Sequence, residues 1–146
     1  MVTDAANSDI LTASQCWGRL REAVVGRLAV VIEGDQPDIF PVNHVVDHSS
    51  VVFRTAEGAK LTHAVGRKVA FEVDGYEIAT ARAWSVIVKG TAHEIWAVDE
   101  AIRALDLPLT PWSSSPKPRL VRIEPTSVTG RTFVVQGGVR SSSPAE

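Results

Sequence analysis

Apolar and polar positions along the chain alternate mostly with the two-residue period of strands, and switch to helical spacing in only three short stretches. Ala13, Cys16, Trp17, Leu20, Ala23 and Val24 form a helical stripe opposed by Gln15, Arg19, Arg21 and Glu22. Thr12 or Ser14 is the expected cap, and the helix is expected to cover one open end of a sheet. After Gly26, Arg27–Glu33 alternates as a strand, 33–37 reads as a turn, and a second strand runs from Asp38 to Asp47. Pro41 predicts a bulge or an unpaired stretch within it. Residues 47–50 turn the chain back into Val51–Thr55 as an antiparallel hairpin. Leu61, Ala64 and Val65 predict a helix of about two turns, stopped by Gly66. Val69, Phe71 and Val73 alternate with Lys68, Ala70, Glu72 and Asp74, and a loop is expected from Asp74-Gly75 onward.

A long strand follows from Arg82 to Trp96, with Gly90 as the place for a bend. Ala97–Leu105 reads as a short helix, and a proline-punctuated loop carrying Trp112 leads to a closing strand over 120–127. Residues 1–10 are read as a flexible lead-in, 11–135 as one domain and 136–146 as a disordered tail. About six strands with small helices at the openings predict a mainly β fold, a compact Greek-key-like antiparallel barrel.

Composition narrows the function classes. The chain has 146 residues and a formal net charge of -2, which gives no electrostatic reason to expect nucleic acid. The absence of a membrane-length apolar run or signal-like start makes a cytoplasmic address the expectation. One cysteine, Cys16, excludes an internal disulfide and is read as core filler. His44, His48, His63 and His93 have no metal-site spacing, so no metal is expected. No nucleophile triad, dinucleotide fingerprint or phosphate-binding P-loop motif is present. Glu72 and Asp74 are read as solvated, and no catalytic residue is identified.

One stretch carries candidate chemistry. In PVNHVVDHSSVVFRTAEGAKL, residues 41–61, Arg54 and Lys60 bracket a small-residue corner of Thr55, Ala56, Gly58 and Ala59 that opens into the second helix. Backbone N–H groups at a helix start and two cations suit an anion such as a phosphate. A cross-strand salt bridge for Arg54 and an exposed helix lysine for Lys60 are the competing readings. For His44, a hydrogen-bonded strand histidine competes with a pocket residue.

FPVNHVV, VVFRTAEGAKL, VAFEVD and WSVIVKGTAHEI in this order resemble the pyridoxamine 5′-phosphate oxidase-like proteins, the FMN-binding split-barrel family, over roughly residues 14 to 130. The resemblance implies a six-stranded split barrel, a homodimer, and a flavin at the subunit interface. By it, Arg54, Thr55 and Lys60 would hold the phosphate end, and Pro41, Val42, Asn43 and His44 would run beside the ring system. Trp84 and Ser85 would come from the facing subunit. FMN is the implied cofactor and the deazaflavin F420 the alternative. A flavin-dependent oxidoreductase is the implied activity, with a non-catalytic flavin or haem carrier or sensor as the alternative. Two departures separate the chain from enzymes that oxidise vitamin B6: a single lysine where they carry an Arg-Lys pair, and no C-terminal segment with their Trp and Arg.

Overall fold

The computed structural model describes residues 8–56, 59–95 and 119–135. Its elements are β1 (Ser8–Ile10), α1 (Ala13–Glu22), β2 (Val25–Glu33), β3 (Gln36–Asp47), β4 (Ser50–Thr55), a 3-10 turn (Lys60–Ala64), β5 (Lys68–Glu77), β6 (Arg82–Glu94) and β7 (Arg119–Val134). All strand pairs are antiparallel. Six of them, β2, β3, β4, β7, β6 and β5, hydrogen-bond in that order, and β5 returns to β2 to close the ring. The closure is short: it joins Arg27–Ala29 to residues 70–72, beyond which the strands part. Arg67 bridges that gap, its guanidinium donating to the Val31 carbonyl at 3.2 Å. The fold is the split barrel expected from the sequence.

The two-residue period sets what fills it. Leu28 and Val30, Val51 and Phe53, Val69, Phe71 and Val73, Val86, Val88 and Ala92, and Val121 and Ile123 all turn inward and are buried together. Cys16 and Leu20 of α1 plug the end of this core, as the helical stripe implied. Thr12 caps α1 through a capping box: the Gln15 amide donates to the Thr12 hydroxyl at 3.1 Å, and the Thr12 amide to the Gln15 side chain at 2.8 Å. On the outer side of β4, Val52 packs with Leu120 and Ile95, so β4 is buried on both faces.

Five local expectations give way, most of them to tertiary contacts. The Asp74-Gly75 step does not start a loop, because β5 continues to Glu77. Gly75 faces Trp84 across the ladder, and a Cβ there would lie 2.6 Å from the indole nitrogen. The glycine makes room for a ring and does not make a turn. The closing strand runs the full Arg119–Val134, pairing with β4, β6 and the short β1, so Ser8–Ile10 is a strand rather than lead-in. The second helix is one 3-10 turn of five residues. Glu72 and Asp74 are not solvated singly; both reach the Arg27 guanidinium, at 2.7 and 3.0 Å. Burial, then the hydrogen bond with Asp74, pushes the Glu72 carboxyl up. Gly90 meets its expectation: the β6–β7 register shifts between Lys89 and Gly90, and a Cβ would come 2.0 Å from the Glu124 carbonyl oxygen. The helix expected at 97–105, the proline-punctuated loop and the 136–146 tail lie outside the described residues.

Candidate functional site

β3 and β4 form a ladder only from His44↔Phe53 to the turn at Asp47↔Ser50. On the other side of that rung, residues 40–43 keep β2 as a partner but lose β4. Pro41 sits in this one-sided stretch, in unbroken register with Arg27; a strand with one free flank tolerates a residue lacking an N–H. Where β3 and β4 splay, the 3-10 turn closes the far side and a cleft of about 250 Å³ remains. Pro41, Val42, Asn43, Arg54, Thr55 and Lys60 all line it, joined by Phe40 and Leu61. The structure therefore gathers six of the nine sequence-predicted site residues on one surface.

The charge in this cleft is unevenly committed. Arg54 is half-buried, and its Nε is withdrawn from solvent with no hydrogen-bond partner among the described residues. An unpaired donor of this kind costs about 1–3 kcal/mol, more when charged, so it is expected where a ligand satisfies it. Lys60 is committed: its ammonium donates to Asp38 Oδ2 at 2.8 Å, which with the charges of Asp38 and Glu33 pushes its pKa up. Thr55 is buried at the base of the corner. The single 3-10 turn supplies little macrodipole, so the attraction for an anion falls to the two side chains. An oxyanion beside Arg54 and Lys60 would complete Arg54's hydrogen bonding, and the residues present thus fit a phosphate group.

Three predicted residues stand elsewhere in the chain. His44 points into the core. Its Nε2–H donates to the Leu20 carbonyl at 2.8 Å, its ring meets Phe71 edge-on at 4.8 Å, and its Nδ1 is buried without a partner. Trp84 packs over Gly75 and receives the Arg19 guanidinium on its face at 4.6 Å from the centroid. Ser85 lines a separate hollow of about 330 Å³ with Ile10, Ile87 and Arg131. Asp38 was not singled out from the sequence. It lies two residues before Phe40 on β3 and reaches the cleft only through its ion pair with Lys60, a pairing that no local sequence signal marks. A larger hollow of about 500 Å³ lies where β2 and β5 part, lined by Val30, Val31, Pro37, Lys68, Val69 and Lys89. It has no set of convergent buried polar groups, whereas the smaller cleft concentrates them.

His44 also yields a stability prediction. Burial holds its pKa below the usual 6.5, and the hydrogen bond to Leu20 opposes this only in part. The unfolded chain then binds more protons as pH falls through about 6.5, so the folded state loses stability on acidification. Denaturant titrations at pH 7.5 and 5.5 are expected to show wild type losing stability relative to His44→Gln. A difference that is constant with pH would mean that His44 does not titrate on unfolding.

Among the described residues no helix is long and apolar enough to cross a membrane. Comparison with known proteins gives a consistent lineage. The profile of the pyridoxamine 5′-phosphate oxidase family matches residues 12–132. An uncharacterized protein of Mycobacterium tuberculosis H37Rv is 43% identical over 91 residues, 61% of this chain and 80% of its own length. The FAD binding protein from Mycobacterium smegmatis superposes with a TM-score of 0.75 at 37% identity, covering 85% of this chain and 97% of that one. A conserved protein of unknown function from Corynebacterium diphtheriae gives 0.74 at 39% identity, covering 88% and 99%. The matched segment runs from the cap of α1 through most of β7 and includes the whole cleft, and on that ground the chain belongs to the pyridoxamine 5′-phosphate oxidase family.

Proposed function

We propose that the protein binds a flavin nucleotide, FMN or FAD, with a phosphate in the Arg54–Lys60 cleft, and that it works as a flavin-dependent oxidoreductase. The observation that carries this reading is the buried, unpartnered Nε of Arg54 beside a second cation, in a cleft formed where β3 and β4 part. The family and the FAD-binding relative agree with it. FMN and FAD present a phosphate at the same point of the ribityl chain, so one cleft can serve either. A bound flavin supplies the electron transfer; the chain's own residues bind and orient it. Arg54 and Lys60 fix the phosphate end, and Pro41–Asn43 form the wall along which the rest of the ligand lies.

At about 250 Å³ the cleft is smaller than sites that enclose a whole cofactor, which run from roughly 300 to 1,000 Å³. The remainder of the pocket is assigned to a second copy in a homodimer, contributing Trp84 and Ser85. The apolar rim of the Ser85 hollow supports this: Ile10 there is 82% exposed. Reduction of flavin-loaded protein by NAD(P)H or reduced F420, followed by reoxidation with turnover, tests the oxidoreductase role. Tight flavin binding without turnover would instead support a carrier. Analytical ultracentrifugation showing only monomer at assay concentration would contradict the shared site.

A further inference from the structure

Lys60 and Arg54 reach the cleft in different electrostatic states. Arg54 has no carboxylate partner among the described residues and leaves Nε unbonded, whereas Lys60 is held at 2.8 Å by Asp38. Asp38 does not itself line the cleft; it reaches the edge of it through its ion pair with Lys60, which does. Lys60 also feels Glu33 at the end of β2. The ligand-facing charge is thus two cations offset by at least one carboxylate.

We infer that Asp38 is a displaceable counter-ion of Lys60, competing with the ligand's phosphate and setting which phosphate the cleft prefers. The inference rests on the flavin-phosphate reading above. A terminal phosphate monoester carries about −1.5 to −2 at neutral pH. A phosphate inside a dinucleotide's diphosphate carries only one negative charge. A site with two cations and one standing carboxylate balances the second better than the first. Asp38 also repels either ligand directly, and more strongly the doubly charged one. The carboxylate therefore weakens binding of FMN more than of FAD, and leaves riboflavin, which has no phosphate, unaffected.

The test is fluorescence titration of riboflavin, FMN and FAD against wild type, Asp38→Asn, Asp38→Glu and Arg54→Ala at one ionic strength. Asp38→Asn is expected to tighten FMN by about fivefold, the scale of an exposed ion pair, with a smaller gain for FAD and none for riboflavin. Asp38→Glu, which keeps the charge, is expected to return FMN affinity toward wild type. The inference is overturned if Asp38→Asn weakens FMN, leaves it unchanged, or shifts riboflavin equally. Arg54→Ala separates the two levels. If it removes the advantage of FMN over riboflavin while Asp38→Asn changes nothing, the cleft holds the phosphate and only the role of Asp38 is wrong. If Arg54→Ala leaves FMN binding intact, the phosphate placement fails and the inference with it.

Discussion

Arg54→Ala is expected to lower affinity for FMN or FAD by about 30- to 150-fold, corresponding to about 2–3 kcal/mol for lost charge-assisted hydrogen bonds. The same substitution is expected to leave thermal stability unchanged or raised. Without ligand, Arg54 holds a donor out of solvent with nothing to receive it, so its removal relieves a desolvation cost in the unliganded protein. Binding loss without stability loss is the mark of a group placed for a ligand. Calorimetric titration with a melting curve on the same sample measures both. A variant that binds normally, or that binds poorly because it has unfolded, would contradict this account of Arg54. Arg54→Lys is expected to recover only part of the affinity, because a single ammonium cannot reproduce the guanidinium fork.

The second large effect is on stability. Phe71→Ala is expected to destabilise the fold by about 3–5 kcal/mol, a large share of the 5–15 kcal/mol typical of a domain. Phe71 is fully buried, and its ring closes over Gly26, where a Cβ would lie 2.2 Å from the ring tip, and also meets His44. It therefore joins β5 to β2 and β3 near the short β2–β5 closure, where three residue pairs complete the ring. Its loss would leave a cavity beside the buried His44 ring. Urea unfolding measures the change; a cost below about 1.5 kcal/mol would show that the barrel end repacks.

The elements readable from the sequence were those whose side chains alternate without interruption. Val69–Val73 and Val86–Ala92 fixed two walls, and the Cys16–Leu20 stripe fixed the plug. What stayed hidden depended on distant contacts. Gly75 looks like a turn residue until Trp84 lies over it. In β7, the polar segment 126–132 carries little apolar alternation; it holds its place by pairing with β6 over residues 127–132, and β1 joins only from Arg131. The Pro41–Lys60 corner stood out as a candidate anion site from its two cations. The commitment of one of them to Asp38 was not, because residues 38 and 60 meet only once β3 and the 3-10 turn are folded together. His44 was open between two readings, and the structure puts its ring in the core beneath α1, one residue beyond the cleft wall.

The central claim is that this cleft receives the phosphate of a flavin. Its most direct measurement is the visible absorption spectrum of the purified protein, with mass spectrometry of the released ligand and a fluorescence titration of the ligand-free form. The account predicts a flavin spectrum or saturable binding of FMN or FAD at micromolar or lower concentration, with riboflavin at least about tenfold weaker. No saturable binding of FMN, FAD or F420, or equal affinity for FMN and riboflavin, would contradict it.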